Sequence, residues 1–367
     1  VIDPRLEKLA SILVHYSLGV QPDDRLRMIS WIGAEPLTLA VYREAMRAGA
    51  LITVQLRWNE LIESLLREGS DAQVSYISDL DRLSAEYFDK AVFIGAEQNS
   101  KALTTADPRK SALRAAATRP ISQRLDEREA AGEYTWCYTA FPTQSSAQDA
   151  FLSLEEYEQF YLSACKIHLD DPVAGWREQS VRQQRIADFL MAHDHIRIVA
   201  PGTDISYRCG GRKWINADGR VNFPDGEVFS APIEDSVNGV VTYSFPAIYM
   251  GREVEQVRLT FRDGEVVEAE AGRGRDFLDS MLAADDGAKR LGEVAFGTNY
   301  DITHFTKNIL FDEKIGGTMH MAIGSTYKAT GGLNESGVHW DMICDLRQGE
   351  VYADGVLCYK DGHFVLP

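Results

Sequence analysis

Apolar positions along this chain recur at two spacings, and the dominant one changes near residue 203. Before that point helical and extended patterns alternate. Asp3-Pro4 offers an N-cap with proline in the first turn, and Leu6, Leu9, Ala10 and Leu13 follow at helical spacing until Gly19. The pattern then predicts a strand over Leu26–Ile32, a helix over Pro36–Ala48 and a strand over Leu51–Leu56. Helical residues continue to about Phe88, and Lys90–Gly95 is a short apolar strand. Asp107-Pro108 caps another helix and Tyr134–Ala140 is strand-like. Helices from Leu154 and Trp176 and a strand over Ile196–Ala200 complete the half. Strands separated by helices predict an open, mainly parallel α/β sheet over residues 1–202.

From residue 203 onward the period shortens to two. Asp-Gly pairs stand at Asp218, Asp225, Asp263, Asp354 and Asp361, between alternating runs such as Val257–Phe261. Asp-Gly between such runs is a hairpin signal. One helix, Arg275–Ala284, interrupts them. The expectation for residues 203–367 is a mainly antiparallel, β-rich α+β domain with its own core.

The second half also carries the candidate chemistry. Glu227 follows a tight turn at the start of a strand. Glu293, in Leu291–Gly297, and His320, in Thr318–Ile323, each interrupt an apolar run. A lone buried carboxylate is costly, so such residues must be exposed, paired or bound to something. In His339-Trp340-Asp341 the alternation of a strand turns His339 and Asp341 to one face, with Val338, Trp340 and Met342 on the other. Glu313, just upstream of His320, reads by itself as a loop charge. No basic partner is expected to adjoin these motifs, and carboxylates converging without a cation repel. A divalent metal resolves that conflict, and oxygen and imidazole donors without thiolate suit Zn, Co, Mn, Mg or Fe.

Composition narrows the rest. The formal charge of −17 over 367 residues excludes a general nucleic-acid binder. Five widely spaced cysteines with no CxxC pair read as reduced core thiols, hence a cytoplasmic protein. No stretch is long and apolar enough to span a bilayer, and the first residues lack the features of a signal peptide. No GxGxxG or GxxxxGK[ST] follows a predicted strand, so the first half is expected to be structural or to gate substrate rather than bind a nucleotide. His15, His168, His193 and His195 read as surface or satisfied histidines.

The segments PDGEVFSAP from Pro224, LGEVAFG from Leu291, NILFDEK from Asn308, HMAIGSTY from His320 and NESGVHWDMI from Asn334 resemble the thermophilic aminopeptidases, the aminopeptidase S/T metallopeptidases. The likeness runs along essentially the whole chain in order. It implies a two-metal exopeptidase that takes the N-terminal residue from short peptides with a free N-terminus, working as a homodimer. It implies Glu227, Glu293, Glu313, His320, His339 and Asp341 as ligands of two divalent ions (Zn, Co, Mn or Mg). It further implies Tyr327 beside the metals as an oxyanion donor, and Glu293 or Glu227 as the carboxylate that takes the proton of an attacking water. The Glu313 to His320 spacing is two residues longer than in some relatives, and the Tyr327 to His339 segment is shorter.

Two other readings compete. His320, His339 and Asp341 alone form a two-His, one-carboxylate set, the pattern of non-haem Fe(II) oxygenases. Relatives on this fold are similar to ring-cleaving dioxygenases acting on dihydroxypyridines. Glu227 and Glu293 would be unnecessary there. The third reading is a non-catalytic binding protein, whose signature would be a lost ligand, and none is missing.

Overall fold

The structure is a computed structural model and describes residues 3–366. Its contacts divide the chain into two compact units, residues 1–173 with 219–223, and residues 174–218 with 224–367.

The first unit is built on a five-stranded sheet in which every pair is parallel. Its order is Leu51–Arg57, Arg25–Trp31, Lys90–Gly95, Thr135–Ala140 and Asn222–Phe223. The expected strands all form. Asp3 caps the first helix through a hydrogen bond from Arg5 N, and the helix Pro4–Ser11 widens into a π-helix over Ile12–Ser17 before Gly19. Met28, Ile29, Val92, Ile94 and Cys137 are buried along the central strands. Apolar residues on both faces of such strands are what a sheet covered by helices requires.

Besides the two-stranded pair Ala247–Tyr249 and Arg252–Val254, the second unit holds two antiparallel sheets. One has eight strands, from Glu265–Glu270 at one edge, through Thr203–Arg208 and His195–Ala200 in the middle, to His363–Phe364 at the other. The other has five, in the order His339–Asp345, Thr318–Gly324, Leu291–Gly297, Glu227–Ser230 and Ile215–Ala217. A single apolar core joins them. Ile198, Ile205, Val241, Leu259 and Val351 come from the larger sheet, and Val294, Phe296, Met321, Trp340 and Met342 from the smaller.

The division differs from the boundary expected at residue 202. The helix Pro172–Met191 and the strand His195–Ala200 belong largely or wholly to the second unit. The reason is local: His195–Ala200 turns back at once and pairs antiparallel with Thr203–Arg208. Residues 219–223, conversely, return to the first unit, where Asn222–Phe223 pairs with Tyr138 and Thr139.

Of the five Asp-Gly pairs named above, three are two-residue hairpin loops, at Asp263, Asp354 and Asp361, with positive φ at both residues. The other two are not. Asp218-Gly219 lies where the chain leaves the second unit. Asp225-Gly226 connects strands of different sheets. Gly226 has φ +129°, and a Cβ there would meet Asn299 Cβ at 2.6 Å, so the glycine serves close packing rather than hairpin twist. All five cysteines are buried and free. No helix among the described residues is long and apolar enough to cross a membrane.

Candidate metal centre

Register places the candidate residues on one face of the five-stranded sheet. Glu227 is opposite Gly297, and Ala295 is opposite both Phe229 and His320. His320 is opposite Ile343, Ala322 opposite Asp341, and Gly324 opposite His339. Residues two apart share a face. Glu227, Glu293, His320, His339 and Asp341 therefore all project to the same side. The intervening Val228, Val294, Met319, Met321, Trp340 and Met342 project into the core.

Two backbone carbonyls fix the imidazoles. His320 Nδ1 lies 3.0 Å from Glu313 O, and His339 Nδ1 lies 2.8 Å from Ser325 O. A carbonyl can only accept, so each Nδ1 carries the proton and each Nε2 is turned to the carboxylates. His320 Nε2 is 3.2 Å from Glu293 Oε1, 3.3 Å from Glu227 Oε2 and 4.0 Å from Asp341 Oδ1. His339 Nε2 is 3.7 Å from Glu293 Oε2 and 3.5 Å from Asp341 Oδ2. The two oxygens of Glu293 thus face different imidazoles.

Burial sets the electrostatics. Glu227, Glu293 and His320 are buried, while Asp341 and His339 lie at the partly open side. Burial pushes the Glu227 carboxyl well above the usual range, although Lys314 opposes it. Burial likewise carries Asp341 up to about 6, against the charge of His339. Burial disfavours charge on His320, but its hydrogen bond to Glu293 and the charges of Glu227 and Asp341 prevail and raise it to about 10. Glu293 moves the other way: burial is outweighed by the hydrogen bond from His320 and the charges of both histidines, and its pKa falls. The raised His320 and the lowered Glu293 describe one ion pair seen from its two ends. A divalent ion bound there would displace the protons that these shifts favour.

Three groups have ligand atoms within 4.8 Å of one another: Glu227, Glu293 and His320; Glu293, His339 and Asp341; and Glu313, His320 and Asp341. All six ligand candidates are therefore brought together, Glu313 included. The donor set fits a metal on two counts. Both imidazoles present a preset Nε2, the arrangement a backbone partner gives a metal-ligating histidine. Glu227 Oε2 is buried without a hydrogen bond. Tyr327 lies three residues beyond the strand Thr318–Gly324. It is 48% exposed and packs its ring on Phe229, two residues along the strand from Glu227.

One expectation is overturned. A basic residue does adjoin the motifs: Lys314, fully buried, is in close ionic contact with Glu313 Oε1 and 3.8 Å from Glu227 Oε1. The sequence carried it in plain sight beside Glu313, but a turn has no period from which burial can be read. Sequence reasoning also missed Gln183 and Asn299. Gln183 donates to the backbone oxygen of Glu227 at 3.0 Å, and Asn299 donates to Asp225 O at 2.9 Å, so both pin the turn that presents Glu227. The histidines set aside earlier behave as surface groups: His168 and His195 are exposed, His15 meets Glu44, and His193 bonds to Phe189 O.

Comparison with known proteins finds relatives along almost the whole chain. The chain is 28% identical over 404 residues to aminopeptidase 2 of Geobacillus stearothermophilus, covering 98% of this chain and 95% of that one. It is 27% identical to aminopeptidase PepS of Streptococcus thermophilus, covering 98% of both. Its fold matches that of wild-type AmpT from Thermus thermophilus with a TM-score of 0.87 at 25% identity over the whole of both chains. The family model described as thermophilic metalloprotease (M29) matches residues 2–364. The chain belongs to the thermophilic metalloprotease family.

Proposed function

We propose that this protein is an aminopeptidase that removes the N-terminal residue from short peptides, using two divalent metal ions held on the ligand face of the five-stranded sheet. The observation that carries the two-ion reading is the placement of Glu293, with one carboxylate oxygen toward His320 and the other toward His339. Glu227 and His320 complete one position, and Asp341 and His339 the other, with Glu293 common to both. Glu313 extends the ligand set next to His320 and Asp341. Zn, Co, Mn and Mg all suit this mixed oxygen and imidazole set. When bound, such a pair acidifies water and polarises the carbonyl of the scissile bond.

The remaining work falls to the chain. The carbonyls of Glu313 and Ser325 keep both Nε2 atoms aimed inward. The Glu227 carboxylate would accept the proton of the attacking water and return it to the leaving amine. Glu293 is the alternative acceptor. Tyr327 O–H is the proposed donor to the developing oxyanion. The substrate's free α-amine would either coordinate one of the ions or pair with a spare carboxylate, and that contact confines cleavage to the first residue. The relatives named above are called aminopeptidases, in line with this assignment.

The mononuclear iron reading requires His320 and His339 on one ion. Each of the three ligand groups contains a single imidazole, and that reading leaves Glu227 and Glu293 without a task. The deciding experiment is metal analysis of the purified protein together with hydrolysis of a leucyl peptide and its N-acetylated counterpart. Two divalent ions per chain and release of leucine from the free peptide alone support the proposal. One iron per chain with oxygen consumption, or equal cleavage of the blocked peptide, refutes it. Light scattering tests the homodimer that the family resemblance implies.

A further inference from the structure

Lys314 is an unusual occupant of a divalent-metal site. Its side chain is 0% exposed, and a buried ammonium is costly unless carboxylates meet it. It meets Glu227 and Glu313, two of the proposed ligands, and Asp225 lies close enough to feel its charge. Its placement is fixed by backbone rather than by those ion pairs. Lys314 N donates to Phe311 O at 3.0 Å, and Lys314 O accepts from Asn299 N at 3.0 Å. Asn299 also holds Asp225 O, and it packs so closely on Gly226 that no side chain fits there. One residue thus locks both the turn that presents Glu227 and the segment that delivers Lys314 beneath it.

Charge shows what this cation does. Glu227, Glu293, Glu313 and Asp341 bring four negative charges when ionised. Set against these carboxylates alone, Lys314 leaves three charges for protons or metal to meet; one divalent ion then leaves one, and two leave a single positive charge. A cation bound by a peptide bond cannot be removed by dilution or chelation. Its repulsion also falls on an incoming metal ion.

We propose that Lys314 is a positioning residue that serves as a permanent internal counter-ion: it keeps the acidic face assembled before metal arrives and weakens the binding of the last metal ion. The proposal rests on the assignment of these carboxylates as metal ligands. It does not require Lys314 to touch substrate, which its burial forbids.

The test is Lys314→Met in the full-length chain, melted without metal and with saturating Zn or Mn, with metal affinity measured by titration calorimetry. The metal-free melting temperature should fall by roughly 10 °C, the scale of an uncompensated buried charge in a domain of this size. The loaded protein should lose much less, and the weaker-binding ion should bind about tenfold tighter, as linkage between stability and binding requires. Equal losses in both states with unchanged affinity would make Lys314 a structural residue and overturn the proposal, as would weakened metal binding. Should the single variant fail to fold, Lys314→Met with Glu227→Gln removes the charge pair together and should recover metal-free folding. Failure of that recovery also overturns it. If the wild-type protein binds no divalent ion, the metalloenzyme assignment fails, while the metal-free melting comparison still reports on Lys314.

Discussion

On one face of the five-stranded sheet, Val294, Phe296, Met319, Met321, Trp340 and Met342 are buried in a continuous apolar core. On the other face, one residue away along the same strands, Glu293, His320, His339 and Asp341 crowd their ionisable groups within 4.0 Å of a neighbour. The strands and the backbone ladder are shared, and only the parity of the position differs. The comparison teaches where the cost of the site is met. Gathering carboxylates is unfavourable, and packing on the reverse side offsets it, so the ligand face can be poor in stability and rich in chemistry.

Substitutions that respect parity should separate the two faces. The largest effect is expected from Glu293→Gln or His339→Ala. Peptide hydrolysis should fall by about 10³-fold or more, as for other residues that act as a unit, while the metal-free melting temperature stays level or rises. Near wild-type rates in either variant would dismiss the ligand set. Chelation comes next. Dialysis against EDTA should abolish turnover, and added Zn, Co or Mn should restore it, with the melting temperature rising on reloading. Turnover that survives complete metal removal would refute metal dependence.

Crossing to the core face should invert the result. Trp340 is 1% exposed and stacks on Tyr249 at 5.5 Å. Trp340→Ala should lose about 3–5 kcal/mol of stability by urea unfolding, yet keep turnover at temperatures where it remains folded. Turnover lost in full with stability intact would show that the faces are not separable. The smallest effect concerns the entry to the His339 strand. Asp285 accepts from Gly337 N at 2.7 Å, Ser336 Oγ at 3.0 Å and Ala288 N at 2.9 Å. The bonds from Gly337 and Ser336 hold its carboxyl below the ordinary value. A depressed folded pKa contributes stability above the unfolded value, near 3.8, that disappears as pH falls through the folded one. Asp285→Ala should therefore cost roughly 1 kcal/mol near neutrality, the usual worth of a cap, with the gap to wild type closing below pH 4 in melting experiments.

Parity also explains what could be read from the sequence. A glutamate inside Leu291–Gly297, a histidine inside Thr318–Ile323 and the His339-Trp340-Asp341 alternation all violate or display a strand's period, so they stood out. Lys314 and Glu313 lie in a turn, where no period predicts which side chain turns inward. Gln183 sits on a helix whose spacing gives no hint that it reaches the Glu227 backbone 44 residues away. The parallel sheet of the first unit was legible strand by strand. Its fifth strand was not, because Asn222–Phe223 is two residues long and lies beyond the point where the pattern had changed.

That short strand governs how the gene can be divided. The chain passes between the two units at residues 173–174, 218–219 and 223–224. A fragment beginning at residue 203 would lack His195–Ala200, an interior strand of the eight-stranded sheet, and one ending at residue 202 would lack Asn222–Phe223. No single cut yields either half intact. Fusions, truncations and domain exchanges must respect three crossings.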